Sequence, residues 1–352
     1  MIGPVIVAGW VAGWLAAGRV HRLPAGDGDG AAAGPGPSVS VVVPVRNEAG
    51  RLPELLAALA ADARSHPELI VVDDGSCDGS GELARRAGAT VLEVEPPPGW
   101  TGKAWACWQG ALHASGDVLA FLDADTVPAA GFVTRLAAAA AESGGMVSVA
   151  PTHRTEALVE RASAVPNVVA LMAGTGTGRP GHWWRRPVGF GPAVAVPRAT
   201  YLAAGGHGRV RAEVAEDVAL AQALASAGVP VLAAADAGEG AVEYRMYPEG
   251  ARALVQGWTK NLAAGASKVA ALRAAAVALW VTGGLLAAVR PLGYLLYAAQ
   301  MAVLFRRAGR FGAATPLLYP LPLLVFVGLS IRSALRRGRG RPVPWRGRWV
   351  AP

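Results

Sequence analysis

Beyond Glu249 the sequence contains no acidic residue, although 15 Lys and Arg stand there. Residues 1–249 therefore carry a net charge of −7 and residues 250–352 a net charge of +15, which together give the chain's +8. Charge of either sign is scarce: 16% of residues are charged against 53% hydrophobic, with a mean hydropathy of +0.33. So apolar a balance is unusual for a wholly soluble chain, and it sets the expectation that part of this one sits in a membrane. The basic residues are interleaved with apolar runs, not spread along a solvated groove, which favours a membrane surface over nucleic acid as their partner. The two cysteines, Cys77 and Cys107, are too few for a disulfide framework and lack metal-site spacing; they fit a reducing compartment. The six histidines (His21, His66, His113, His153, His182 and His207) show no metal-ligand spacing, and no G-x-S-x-G elbow or Cys/His signature is present. With 352 residues the chain has room for one or two domains.

Residues 1–18, MIGPVIVAGWVAGWLAAG, are uncharged and are followed by Arg19, His21 and Arg22. Basic residues behind an apolar run, with none ahead of it, predict an uncleaved transmembrane anchor whose C-terminal end is cytoplasmic. Residues 19–38 read as a linker, rich in Gly, Pro and Asp. From Ser38 short aliphatic runs (38–45, 68–74, 89–94 and 117–125) alternate with helical patterns at 51–63, 79–87 and 102–114. Continuous apolar strands alternating with helices predict an α/β fold, a mostly parallel sheet covered on both faces, in which ligands bind beyond the C-terminal strand ends. This catalytic domain is expected over 39–249. An interfacial amphipathic helix is expected over 250–273 and membrane-embedded helices over 274–331. The Pro-interrupted third apolar run leaves the number of crossings open. A basic cytoplasmic tail is expected over 332–352.

The run AFLDADTVP ends a strand in two carboxylates, Asp123 and Asp125. At i and i+2 in a loop, one can reach a divalent ion shared with phosphate groups and the other a sugar hydroxyl or bound water, although the pair also suits a turn. Upstream, VVDDGSCDGS places Asp73 and Asp74 at a strand end, where a carboxylate can accept a nucleobase N–H or form an ordinary Asp-Gly turn. VVVPVRNE sets Pro44, Arg46 and Glu48 on the same ligand-facing rim. Gly176-x-Gly178-x-x-Gly181 spells a dinucleotide fingerprint but precedes HWWRRP instead of opening a helix after a strand, so it is rejected as one. Trp183, Trp184, Arg185 and Arg186 there read as a loop meeting a bilayer surface or an acceptor.

Taken together, VPVRNE, VVDDGS, GDVLAFLDAD, AEDVAL (215–220) and QGWTK (256–260) resemble the family 2 glycosyltransferases and their nucleotide-diphospho-sugar transferase A-type fold, over roughly residues 39–262. The N-terminal anchor, the PPGWTGKAWACWQG segment and the compact C-terminal apolar region are most similar to bacterial membrane-bound enzymes that glucosylate carotenoid acids, or to hopanoid-associated transferases. The resemblance implies that Pro44, Arg46 and Glu48 line the nucleotide pocket and that Asp73 or Asp74 meets uracil. It places Lys103 on the donor, Asp123 on the donor's ribose or sugar, and Asp125 on the metal, Mg2+ or Mn2+. In the pair Glu216-Asp217 it implies that the Asp is the base. A single displacement with one base and no carboxylate nucleophile inverts the anomeric configuration. Gln256, Trp258 and Lys260 fall on the acceptor side, but their spacing departs from the Q-x-x-R-W element of processive members, which weakens any reading as a polymer synthase.

The expectation is thus a multi-pass enzyme of the cell membrane with a cytoplasmic catalytic domain. It moves glucose from UDP-glucose to a membrane lipid and does not bind nucleic acid. The rivals are a polyprenyl-phosphate sugar synthase, with Arg185, Arg186 and Lys260 around its phosphate acceptor, and a non-catalytic membrane scaffold. Intact Asp125 and Asp217 argue against the scaffold.

Overall fold

A computed structural model describes every residue except 1, 19–20, 24–35, 63–66, 175–186, 237–238, 267, 346–347 and 351–352. The G-x-G-x-x-G run, HWWRR, His66 and most of the linker therefore lie outside the described residues. The chain forms two compact units, one of residues 22–151 and 187–244, the other of residues 1–21, 152–186 and 245–352.

The first is built on a seven-stranded sheet of β1 (Val39–Val45), β2 (Glu68–Asp73), β3 (Thr90–Glu93), β4 (Val118–Leu122), β5 (Met146–Ala150), β6 (Ala193–Pro197) and β7 (Val231–Ala235). Their order across the sheet is β3-β2-β1-β4-β6-β5-β7. Every pairing is parallel except those of β6, which runs antiparallel to both β4 and β5. The chain steps outward from β1 to β3 and returns to the other side of β1 with β4, so the order reverses between β1 and β4. In open α/β sheets that reversal opens a crevice at the C-terminal strand ends, and ligands bind there.

Side-chain alternation explains the layers. Val41, Val43 and Val45 point to one face, where Leu52, Leu55, Leu56, Phe132 and Leu136 cover them. Val42, Ile70 and Val72 point to the other, against Cys107, Ala111, Tyr201, Leu220 and Leu224. Both faces are buried, hence the unbroken valine runs. Helix Gly102–His113 lies so close to the sheet that a Cβ on Gly110 would stand 2.4 Å from Val42 Cγ1. Thr101 caps that helix by accepting from Ala104 N.

The second unit is largely helical. Ile2–Ala17 packs against Ala271–Ala287, and a Cβ on Gly13 would meet the Trp280 ring at 2.3 Å. Gln300 Nε2 donates to the Trp10 carbonyl (2.8 Å) and Trp280 Nε1 donates to Gln300 Oε1 (3.0 Å). Helix Ala251–Ala266 turns Leu254 and Trp258 inward against Tyr247 and Leu329, and its apolar side is occupied by protein.

The expected membrane helices at both ends are overturned: among the described residues no helix is long and apolar enough to cross a membrane. The N-terminal helix has 16 residues and Ala271–Ala287 has 17, at or below the lower end of the roughly 17–25 that a bilayer requires. Pro291–Ala308 and Pro320–Gly338 are longer but include Arg306 and Arg307, and Arg332, Arg336 and Arg337. The apolar runs are cut at Arg290-Pro291 and at Gly309, and part of their apolar surface packs helix on helix.

Candidate active site

The sheet brings the C-terminal ends of β1, β2 and β4 to one rim. Asp74 N donates to the Val45 carbonyl (2.9 Å), which ties the loop after β2 to the end of β1. Arg46 Nη1 donates to the Asp74 carbonyl (2.5 Å) and stands 3.7 Å from its carboxylate. Asn47 takes a left-handed φ of 53°, tolerated by Asn, and its side chain accepts from Cys77 N (2.9 Å) while its own N–H donates to Ser76 Oγ (3.0 Å). Glu48 N donates to Ser80 Oγ (2.9 Å), and the Glu48 carboxylate pairs with Arg51 (3.1 Å). Asp73 Oδ1 accepts from Ser76 N (2.8 Å), so one of its oxygens shapes the turn. Asp73 and Asp74 are both buried.

Beyond β4, Thr126 N and Oγ1 both donate to the Asp123 carbonyl (3.0 and 2.6 Å), folding the D-A-D residues into a closed turn. Lys103, at the start of helix Gly102–His113, reaches across to this turn. Its Nζ lies 2.7 Å from Asp123 Oδ1 and 2.8 Å from Glu216 Oε1, joining the D-A-D loop to the E-D pair. Burial alone would push the Lys103 ammonium down, but Asp123, Glu216 and Asp217 outweigh it and hold the group well above its ordinary value. Glu216 is held below the usual carboxylate range, because Lys103 outweighs the effect of its burial. It is ionised at neutral pH.

Asp217 lies beside it in the opposite condition. Burial, then the charge of Glu216, pushes its carboxyl up to about 6. Its Oδ2 accepts from Gly191 N (2.9 Å) and its Oδ1 from Val218 N (2.8 Å), so the side chain is held in place. Because β6 is antiparallel to β4, its N-terminal end falls on the same rim, which is how Gly191 arrives there. A Cβ at Gly191 would stand 3.0 Å from Asp217 Oδ2, so the absence of a side chain makes the contact possible. Two adjacent carboxyls with environments that separate their proton affinities are the usual arrangement for an acid/base role.

A small cleft gathers these groups: Pro44, Lys103, Asp123, Gly191, Glu216 and Asp217 line it, with Cys107, Phe121, Val194, His207 and Leu220 as further walls. Asp125 belongs to the adjoining turn. Burial and then Asp123 push its carboxyl up to about 6, while Arg51 and Lys103 pull it down. Two carboxylates two residues apart fit a divalent cation, although Lys103 already pairs with one of them. Among the described residues no group of three or more His, Cys, Asp or Glu is placed to hold a metal ion. Two carboxylates alone would leave a bound divalent ion to keep waters and share phosphate oxygens, as Mg2+ does.

Of the residues singled out from sequence, Pro44, Lys103, Asp123, Glu216 and Asp217 share the cleft, and Arg46, Glu48, Asp73, Asp74 and Asp125 surround the same rim. Gln256, Trp258 and Lys260 stand on helix Ala251–Ala266 of the helical unit. There Trp258 is 5% exposed and its Nε1 donates to Ser163 Oγ (3.0 Å). Sequence reasoning missed Gly191, which only the antiparallel strand brings in, and His207, whose isolated position carried no spacing signal.

The fold and this rim define a glycosyltransferase, and the chain belongs to the family 2 glycosyltransferases, whose model, "Glycosyl transferase family 2", matches residues 40–191. It is 31% identical over 334 residues to 4,4'-diaponeurosporenoate glycosyltransferase of Staphylococcus aureus strain USA300, covering 87% of this chain and 86% of that one. The protein of the same name from strain MRSA252 matches with the same identity and coverage. Among solved structures, mannosyltransferase PcManGT from Pyrobaculum calidifontis, in complex with GDP-Man and Mn2+, has the same fold. It aligns with a TM-score of 0.56 at 20% identity, over 96% of this chain and 98% of that one.

Proposed function

We propose that this chain transfers glucose from UDP-glucose to a carotenoid acid or a similar lipid acceptor, with inversion and with a divalent cation on the diphosphate. The observation that carries this reading is the Lys103 bridge, which joins the acidic D-A-D turn to Glu216, the neighbour of Asp217, around one cleft at the sheet's switch point. The similarity to the staphylococcal enzymes supports the acceptor class.

In this mechanism Asp125 and Asp123 would hold the cation, which when bound offsets charge on the leaving diphosphate. The Arg46 and Asp74 loops form the nucleotide side of the rim. Asp217, fixed by Gly191 N and Val218 N, removes the proton from a hydroxyl or carboxylic acceptor as its oxygen attacks the anomeric carbon. Toward an acceptor that is already a carboxylate, Asp217 mainly orients the attacking group. One attack from the face opposite the diphosphate gives the inverted product.

The helical unit supports a lipid partner. Leu15, Val289, Leu292, Leu295, Leu321 and Leu324 are each more than half exposed, and no acidic residue follows Glu249. We read this surface as resting on one leaflet of an anionic membrane without crossing it.

The test is transfer of radiolabelled glucose from UDP-glucose, with Mg2+ or Mn2+, to diaponeurosporenoate or to polyprenyl phosphate in mixed micelles. A metal-dependent glucosyl ester of the carotenoid acid that Asp217→Asn does not form supports the proposal. Labelling of polyprenyl phosphate alone replaces the acceptor class. UDP binding without transfer to either lipid removes the proposed reaction.

A further inference from the structure

His207 is 4% exposed, lines the cleft and has no part in the chemistry above. Its ring sits edge-on to Phe121, with centroids 5.3 Å apart, and beside Tyr201. Tyr201 is fully buried, and its hydroxyl oxygen lies 2.7 Å from His207 Nδ1 while accepting from His207 N at 3.1 Å. A buried hydroxyl without an acceptor is costly, and Nδ1 is the acceptor in reach of this one. The tyrosine therefore donates to Nδ1, and in the neutral ring the proton stands on Nε2. Burial lowers the proton affinity of the ring to about 4, so it is neutral under ordinary conditions. Nε2 is not sealed among the buried orphan atoms, and among the described residues it has no hydrogen-bond acceptor.

A single neutral N–H thus opens on a cleft whose other polar groups are Lys103 and three carboxyls. Glu216, ionised by Lys103, interacts electrostatically with the same ring. The pair offers one donor and one acceptor. A carboxylate or phosphate ligand could pair with Lys103, but it cannot donate to Glu216 and is opposed by the three carboxyls of the cleft. A hydroxyl satisfies both at once, accepting from Nε2–H and donating to the Glu216 carboxylate.

We propose that His207, locked in its Nε2–H tautomer by Tyr201, reads a hydroxyl of the transferred sugar together with Glu216, and so sets which sugar the enzyme accepts. This rests on the nucleotide-sugar reading above. A site built to hydrogen-bond a hydroxyl discriminates against analogues that lack it, because its own buried polar groups are then left unpaired.

The test is calorimetric titration of the full chain, in micelles with Mg2+, with UDP and with UDP-glucose. The variants are His207→Phe, which deletes the donor, and His207→Gln, which keeps an N–H. The expected result is an about tenfold loss of UDP-glucose affinity in His207→Phe, unchanged UDP affinity, and recovery in His207→Gln. If His207→Phe binds both ligands like the wild type, or weakens both equally, the assignment to a sugar hydroxyl is wrong. If His207→Phe does not fold, the wild-type protein still decides through UDP-sugars deoxygenated one position at a time, since tolerance at every position overturns the proposal. Failure of the wild type to bind either UDP or UDP-glucose instead removes the donor reading, a distinct outcome.

Discussion

Asp217 and Glu216 are neighbours in sequence whose carboxyls are shifted in opposite directions, and Lys103 pairs with only one of them. Asp217→Asn can keep the hydrogen bond from Gly191 N but removes the proposed base. Turnover should fall by about 10²–10⁴-fold while UDP binding is retained, as steady-state kinetics and titration would check. As the proposed base, Asp217 works deprotonated, and its carboxyl is pushed up to about 6. Toward a hydroxyl acceptor the expected kcat/KM is therefore level above pH 7 and falls about tenfold per unit once pH drops below about 6. Lys103 pulls the Asp217 carboxyl down, so in Lys103→Met the falling limb should move to higher pH. A limb that stays in place would separate Lys103 from the titration of Asp217. Much of this cleft was legible in the sequence, because strand-end acids follow directly from the hydrophobic runs that precede them. What was not legible depends on contacts between distant segments. Gly191 meets Asp217 only because one strand runs against the others, and His207 gains meaning only from the tyrosine six residues before it.

At the scale of elements, the parallel strands announced themselves: the runs at 38–45, 68–74, 89–94 and 117–125 became β1 to β4 nearly in register. The helical runs were seen too, but their role was misread. Apolar length alone does not say whether a helix faces lipid or another helix, and here small residues decide for packing. Gly9, Gly13 and Gly283 let helices Ile2–Ala17 and Ala271–Ala287 approach so closely that a Cβ on Gly9 would lie 2.6 Å from the Leu279 carbonyl. Gly13→Val should therefore lower the thermal midpoint of the helical unit, read by circular dichroism. In the sheet unit, Gly110→Ala forces a methyl against Val42 and should cost about 1–3 kcal/mol in denaturant unfolding. An unchanged midpoint would mean that helix Gly102–His113 moves away from β1 without penalty.

At the scale of the whole molecule, charge and apolar surface are both concentrated toward the C-terminus. Of the positive charge there, Arg290, Arg306, Arg310, Arg332 and Arg339 stand among exposed leucines and valines. Flotation with phosphatidylglycerol vesicles should be strong at low salt and weaken as salt rises, with neutral vesicles retaining less protein. Equal retention on both would leave the arginines without a role in membrane docking.

Tyr297 donates to the Ile6 carbonyl, 291 residues away in the chain, and Gln300 closes on Trp10. At about 5–20 residues per second, a ribosome needs on the order of 15–60 s to supply those partners once the first helix has been made. For most of that interval helix Ile2–Ala17 lacks Ala271–Ala287, the element it packs against most, and has only the smaller contact with Ala164–Gly174 within its own chain. Helix Ile2–Ala17 thus reaches its final packing only after the last third of the sequence has emerged.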